Sequence, residues 1–342
     1  MSTVVVTGGA GYVGSHAVKA LAEAGDDVVV FDDLSAGHAE AIDRIAHAYP
    51  DRTISLVQGD VLDRGALGRL FATTGAAAVM HFAARLLVGE SVRQPIGYYR
   101  ANVTGTMTVL DAMAEAGIKR FVFSSTAATF GEPQASPITE DHPQRPVNAY
   151  GETKLAVERA LPHVARATGL QWTVLRYFNA AGADPDGLLG EDHDPEEHLI
   201  PLALAAVGGG RQLTLFGEDY PTPDGTCIRD YVHVSDLAAA HVAALRALEA
   251  DAPSAAYNLG NGEGASVRQV LQAIERVTGR PVPHQVGARR AGDPARLVAS
   301  SERARAELGW KPRLDRLETI IETAWTWHSR HPAGYASASP ST

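Results

Sequence analysis

Short apolar runs alternate with longer stretches whose apolar residues recur every three or four positions, and this rhythm holds through the first half of the chain. Runs at Thr3–Thr7, 27–31, 53–58, 77–82, 120–124 and 171–176, rich in valine and isoleucine, predict strands. Helical periodicity fills most of the gaps, at 12–24, 103–116 and Ala149–Thr168. Such alternation predicts an α/β fold with a doubly wound parallel sheet covered on both faces. The rhythm breaks at 180–201, where Gly, Pro and acidic residues crowd together, and a helix (Leu199–Val207) and a strand (212–216) follow. A second, smaller α/β lobe is therefore expected. The first domain is read as 1–179, with about 230–260 returning to it because 257–259 looks like a further sheet strand. The second is read as 180–229 and 261–330. Ser, Ala and Pro after Trp327 predict a chain frayed from His328 onward, with 331–342 a flexible tail.

Composition narrows the partners. With 342 residues, 45% hydrophobic and 20% charged, the chain can bury a sizeable core. A formal net charge of −10 without any Lys/Arg run points away from nucleic acid and from an anionic membrane surface. No uncharged apolar stretch reaches 18 residues, and the opening apolar run turns straight into glycine, which reads as a strand rather than a signal peptide. Cys227 is the only cysteine, so no intrachain disulfide forms; this usage fits a reducing cytoplasm. Nothing near it marks an activated nucleophile, and a small buried hydrophobe is expected.

Three features carry chemistry. The first is Val4-Val5-Val6-Thr7-Gly8-Gly9-Ala10-Gly11-Tyr12-Val13-Gly14, a strand, a turn and a helix start. Gly8 permits the turn, Gly11 lets backbone approach a pyrophosphate, and Gly14 lets helix pack on strand, as in a Rossmann-type nucleotide site. Asp32 ends the second strand; a carboxylate there accepts from ribose hydroxyls and repels a 2′-phosphate, which favours NAD over NADP. Alternatively Asp32, with Asp33 and Ser35 beside it, caps the next helix. Asp60, after the third strand, is placed to reach an adenine amine.

The second and third features are the strand end Ser124-Ser125-Thr126 and the run Asn148-Ala149-Tyr150-Gly151-Glu152-Thr153-Lys154. Tyr150 and Lys154 lie one helical turn apart on one face. An ammonium there is expected to favour the phenolate and bring a poor base toward working pH. By itself this spacing is more often a surface pair on a polar helix; the loop and the Ser/Thr strand end give it context. Thr126 offers a hydroxyl at the sheet's carboxyl edge, or simply caps a turn, and Ser124 and Ser125 are structural or contact the nicotinamide.

Together these features resemble the extended short-chain dehydrogenase/reductase superfamily, and within it the UDP-glucose 4-epimerase family, over about residues 3 to 328. More discriminating runs are His81-Phe82-Ala83-Ala84, Val88-Gly89-Glu90-Ser91, Leu175-Arg176-Tyr177-Phe178-Asn179, Asp224 through His233, and Arg289-Arg290-Ala291-Gly292-Asp293. The resemblance implies NAD contacts at Gly8, Gly11, Tyr12, Val13, Gly14, Asp32, Asp33, Asp60, Val61, Phe82, Ala83, Asn102, Ser124, Tyr150, Lys154 and Tyr177. It implies substrate contacts at Thr126, Tyr150, Phe178, Asn179, Leu199, Phe216, Arg229, Arg290, Asp293 and Leu297, with no metal. Arg229 and Arg290 suit a diphosphate clamp, although Arg229 could instead pair with Asp230 or Asp236.

Four positions depart from common members: Thr126 for Ser, Leu86 (beside Arg85) for a Lys near the cofactor phosphates, His198 for Asn, and Leu297 at a site tied to room around the sugar 2-substituent. The implied reaction is reversible inversion at C4 of a UDP-hexose, UDP-glucose/UDP-galactose, through a transient 4-keto sugar and a retained NAD. N-acetylated and pentose forms stay open. A homodimer is implied through the helices at 103–116 and Ala149–Thr168. Ala127 and Ala128 lack the acid that a 4,6-dehydratase needs after the strand. A net NAD-dependent dehydrogenase remains a rival, whereas a non-catalytic NAD sensor would usually lack the Tyr or Lys.

Overall fold

Val4 and Val6 face one layer of helices and Val5 faces the other, and all three are fully buried at the centre of a seven-stranded parallel sheet. The computed structural model describes residues 2–290 and 293–336. The sheet contains β1 (Thr3–Thr7), β2 (Asp27–Asp32), β3 (Ile54–Gln58), β4 (Ala78–His81), β5 (Arg120–Thr126) and β6 (Gln171–Tyr177). Beyond it come β7 (Asn179–Ala181), β8 (Leu213–Phe216), β9 (Ile228–Arg229) and β10 (Tyr231–His233). Next, β11 (Ala255–Leu259) pairs in parallel with β6 at the edge of the large sheet. Its order is β11-β6-β5-β4-β1-β2-β3, so strand succession reverses between β1 and β4, where open α/β sheets form their ligand crevice.

Helices α1 (Tyr12–Glu23) and α2 (Ala39–Ala48) cover one face together with a helix from the second half of the chain. The other face is covered by α3 (Arg64–Thr74) and two later helices. After β4 come α4 (Val88–Arg93), α5 (Pro95–Tyr98), a π-helical turn (Tyr99–Thr104) and α6 (Gly105–Ala116). The helix expected at 103–116 thus starts inside that π turn. Next, α7 (Ala149–Thr168) begins where Asn148 Oδ1 accepts the Gly151 amide at 2.9 Å and ends at left-handed Gly169, both readable signals. Met113 and Leu110 of α6 and Val157 and Leu161 of α7 fill the core on that side.

The second core is built from α8 (Leu199–Val207), α10 (Val267–Thr278) and α12 (Leu317–Arg330), with α9 (Val234–Glu249) completing the first sheet's cover and α11 (Glu302–Glu307) beside β11. Small sheets knit this region: β7 with β10, β8 with β13 (His284–Gly287), and β9 between β12 (Ala265–Ser266) and β14 (Arg296–Leu297).

The frayed tail expected from His328 is corrected as far as Ala336. Helix α12 runs to Arg330, and Tyr335 is buried, its ring 4.9 Å from those of both His38 and Trp327. An aromatic side chain with a prepared cleft outweighs the small-residue composition around it. Residues 337–342 of the expected tail lie outside the described residues.

Candidate active site

The register sets Thr126 of β5 opposite Tyr177 of β6, at the carboxyl edge of the sheet. The Thr126 hydroxyl accepts the Ala128 amide at 3.1 Å and so caps a short turn, Ala127–Thr129. That turn packs against α7, whose first turn carries Tyr150. Thr126 therefore caps, one of the two roles considered for it, and the turn it caps packs against the first turn of α7. Tyr150 is half-buried, and burial pushes the phenol's pKa up, with the neighbouring Tyr177 adding to the rise and Thr126 opposing it.

The expected pairing of the Lys154 ammonium with that phenol does not occur in this structure. Lys154 is buried, donates to the Ser124 carbonyl at 2.8 Å, and lies 4.9 Å from the centre of the Phe123 ring. Burial lowers its pKa to about 7, with Glu158 one turn further on opposing the shift. At Lys154 desolvation outweighs the pull of Glu158, and at Tyr150 it outweighs the effect of Thr126. Glu158 itself is held by Arg176 at 2.7 Å and by the Ser125 hydroxyl, so Ser125 is structural. Ser124 bonds the Tyr177 hydroxyl at 2.7 Å, which brings Ser124, Tyr177, Lys154, Thr126 and Tyr150 into one cluster.

At the nucleotide loop the glycines differ. A Cβ on Gly14 would come within 2.2 Å of the Gly8 carbonyl, so tight packing excludes any side chain there. A Cβ on Gly11 would meet nothing closer than 3.6 Å, leaving space over the start of α1. No side chain caps that helix, which leaves its first amides without a capping partner, as an anion site requires. Asp32 is buried; its carboxylate accepts the Ala10 and Leu34 amides, both at 2.9 Å, and burial raises its pKa. It does not cap α2, since His38 is the residue before that helix. Asp33 closes its own turn through Ser35, and Asp60, exposed, accepts the Leu62 amide at 2.8 Å. Phe82 and Ala83 follow β4 and donate their amides to Thr7 O, while Val61 packs against Gly105 of α6. Val13 follows Tyr12 in the first turn of α1; the Tyr12 hydroxyl is committed to the Gly182 carbonyl at 2.6 Å. Arg85, adjacent to Leu86, is turned to Glu90 at 2.7 Å and to the Tyr98 ring. The residues present fit a dinucleotide: a free helix start, a Cβ-free approach and a buried carboxylate at the end of β2.

One buried polar chain escaped sequence reasoning. Thr7 bonds His81 Nδ1 at 2.6 Å, His81 Nε2 bonds Thr106 at 2.9 Å, and Thr106 donates to the Asn102 carbonyl at 2.6 Å. Thr106 spends its only proton there, so His81 carries its proton on Nε2 and accepts at Nδ1. Burial lowers the His81 pKa to about 3, with Lys154 adding to the shift, and the ring is neutral. The Asn102 amide then reaches Arg85 O and Thr153, both at 3.0 Å, and Thr153 donates to Tyr150 O at 2.7 Å. The π turn is what aims Asn102 at α7. The only sequence signal was the pair of polar residues at buried helix positions.

In the second lobe Arg229 pairs with Asp293, not with Asp230 or Asp236. Asp230 instead accepts the Ala299, Asn261 and Gly262 amides, and Asp236 accepts those of Arg313 and Leu314. The Arg290 guanidinium stacks 4.2 Å from the Phe216 ring, at the exposed end of β8. Ala291 and Gly292 lie outside the described residues. Asn179 donates to the Asp230 carbonyl at 3.1 Å, and Leu199 opens α8 directly after His198, which bonds Glu191. Leu297 and Phe178 each pack on the cluster of Ala127, Phe130 and Ile138, which follows Thr126 in the chain.

A parallel sheet with this switch point, an uncapped glycine-turn helix and a Tyr–Thr–Lys cluster at the carboxyl edge defines a nucleotide-dependent enzyme of the short-chain type. The chain belongs to the NAD dependent epimerase/dehydratase family, whose model matches residues 4–260. It is similar to a UDP-glucose 4-epimerase of Halalkalibacterium halodurans, 51% identical over 98% of both chains, and to one of Lacticaseibacillus casei, 50% identical over 97% and 98%. Among solved structures it is similar to UDP-glucose 4-epimerase from Brucella ovis in complex with NAD, with 48% identity, TM-score 0.90, and coverage of 95% and 98%.

Proposed function

We propose that this chain interconverts UDP-glucose and UDP-galactose by inverting C4 of the sugar. The observation that carries this reading is the placement of Tyr150, in the first turn of α7, against the short turn that Thr126 caps at the carboxyl edge of the sheet, in a chain about half identical over its full length to enzymes named for that reaction. Tyr150 takes the proton from the sugar 4-hydroxyl, and Thr126 steadies the oxygen on which charge develops. Bound NAD supplies the hydride acceptor and donor at C4. Lys154 holds the Ser124 strand end to the helix that carries Tyr150. Gly8, Gly11, Tyr12, Val13, Gly14, Asp32, Asp33, Asp60, Val61, Phe82, Ala83, Asn102, Ser124 and Tyr177 line the dinucleotide's path. Arg229, Arg290 and Asp293 hold the UDP with Asn179, Leu199 and Phe216, while Phe178 and Leu297 border the sugar. A firm hold on the nucleotide and few polar contacts to the hexose allow a keto sugar to present its other face.

On this reading residues 1–179 with about 230–260 bind the cofactor, and 180–229 with 261–330 bind the UDP-sugar. Pairing of two copies is supported by apolar side chains left exposed beside α7, Val92 at 65% and Ile96 at 83%. No helix of the described residues is long and apolar enough to cross a membrane.

The test is purified protein with UDP-galactose and no added cofactor, with C4 configuration followed by NMR. Inversion without added NAD is expected. If only UDP-N-acetylgalactosamine or a UDP-pentose inverts, the hexose assignment fails; if NADH accumulates with product, the enzyme is a net dehydrogenase. Tyr150→Phe is expected to cut turnover by about 10²- to 10⁴-fold while leaving bound NAD unchanged.

A further inference from the structure

We propose that Glu191, His193, Glu196 and His198 form a site for one divalent transition-metal ion, zinc by its donor set. The four lie within a single loop, and one donor atom from each falls within 4.8 Å of the other three. Tetrahedral coordination at about 2.0–2.2 Å puts neighbouring donors roughly 3.3–3.6 Å apart. His193 Nδ1 lies 3.2 Å from Glu191 Oε1 and 3.7 Å from Glu196 Oε2, and His198 Nδ1 lies 3.8 Å from Glu196 Oε1. The His198–Glu191 edge is a direct hydrogen bond, and His198 is the most open of the four side chains, so a small swing of its ring admits an ion.

Charge makes an ion the better occupant. Glu191 is buried, and its carboxylate has no partners among the described residues other than these two imidazoles. Protons can supply its counter-charge and that of Glu196 only by placing two imidazolium rings with centroids 5.3 Å apart. One divalent ion brings the same charge and leaves both rings neutral. Glu196 is already oriented, its Oε1 accepting the amides of Glu197 at 2.8 Å and His198 at 2.7 Å, the kind of outer support that metal ligands receive. Two imidazoles with two carboxylates suit zinc; calcium and magnesium take oxygen alone.

Four protein ligands leave no open position, so the ion is structural rather than catalytic. It would tie together three parts of the molecule. The Tyr12 ring of the nucleotide loop meets His193 edge-on at 6.0 Å, His198 leads directly into α8, and the Glu191 carbonyl accepts Trp327 Nε1 of α12 at 3.2 Å.

The experiment uses the purified full-length protein, dialysed against a chelator and then titrated with Zn²⁺ in competition with a chromophoric chelator, and separately with Co²⁺. One equivalent per chain is expected, with the intense visible absorption of tetrahedral Co²⁺, displaced by Zn²⁺. His193→Ala and Glu196→Gln should each weaken binding by more than about 100-fold, since even outer-shell partners are worth 10–100-fold. Zn²⁺ should raise the unfolding midpoint of the parent and leave that of Glu196→Gln, which keeps the side-chain volume, in place. Less than one equivalent, an octahedral Co²⁺ spectrum, or variants that bind as the parent does would overturn the site. The last of these outcomes means adventitious binding by other histidines. The parent titration decides the matter even if a variant fails to fold.

Discussion

Lys154 gives its ammonium to the Ser124 carbonyl at 2.8 Å, fixing the strand end that carries Thr126 to the helix that carries Tyr150. Burial has made this cation weakly basic, with a pKa of about 7 against an ordinary 10.5. Between those values the unfolded chain holds a proton that the folded chain does not. Stability contributed through Lys154 therefore rises as pH climbs from about 7 to 10.5. Lys154→Met removes this dependence, and the stability gap between parent and variant should shift in the parent's favour across that window. Denaturant midpoints for both proteins at several pH values check it; parallel profiles would show that Lys154 titrates normally.

The nucleotide loop separates folding from binding. Gly14→Ala drives a methyl to 2.2 Å from the Gly8 carbonyl, and a loss of stability of at least the roughly 1–3 kcal/mol typical of overpacking is expected. Gly11→Ala meets only the Gly8 carbonyl, at 3.6 Å, so its unfolding midpoint should stay near the parent's while retained NAD falls sharply. Thermal unfolding together with NAD content after denaturation reads both. Equal loss of stability in the two variants would mean that the space beside Gly11 serves packing and not the pyrophosphate.

Asp32 carries two duties. Its carboxylate already holds the Ala10 and Leu34 amides, and on the proposed function it also receives ribose hydroxyls. Hydrogen bonds to a charged group are worth about 1.5–3 kcal/mol, so Asp32→Ala should weaken NAD by about 10- to 100-fold and lessen the bias against NADP. Asp32→Asn, which keeps one acceptor for the loop, should recover stability but not the discrimination. Cofactor titration of both variants decides it; an unchanged NAD-to-NADP ratio would leave Asp32 only the loop to hold.

What the sequence disclosed follows from how local each cause was. Valine runs in alternation with helical periods specify a buried parallel sheet without reference to anything distant, and the six early strands fall within two residues of expectation at every end. Asn148 and Gly169 bound α7 by short-range chemistry, which is why Tyr150 and Lys154 could be placed on it. The π turn at Tyr99–Thr104 has no comparable local signature: it arises where Asn102 is drawn to Arg85 and Thr153, residues 17 and 51 positions away. Tyr335 reads as part of a small-residue tail until His38 and Trp327 are known to flank it. Electrostatics was the harder misreading. Spacing put Tyr150 and Lys154 one turn apart on α7, but the depth of burial that lowers one pKa and raises the other belongs to the assembled core.

Leu297 offers a test of substrate range. Its strand runs beside β9, in register with Arg229, and its side chain packs, as Phe178 does, on the cluster of Ala127, Phe130 and Ile138 that follows Thr126. A sugar whose 4-hydroxyl faces Tyr150 and Thr126 and whose diphosphate reaches Arg229 would thus pass close to Leu297. A leucine leaves more room there than a tyrosine. The parent should therefore turn over UDP-N-acetylgalactosamine as well as UDP-galactose. Leu297→Tyr should reduce the N-acetylated substrate's kcat/KM by about 10- to 100-fold, the equivalent of roughly 1–3 kcal/mol of crowding, and leave UDP-galactose near the parent's value. Competition between the two sugars in one NMR tube measures the ratio directly. A parallel fall for both substrates would place Leu297 in packing alone, and a parent inactive on the N-acetylated sugar would put the limit on the 2-substituent elsewhere in the lobe.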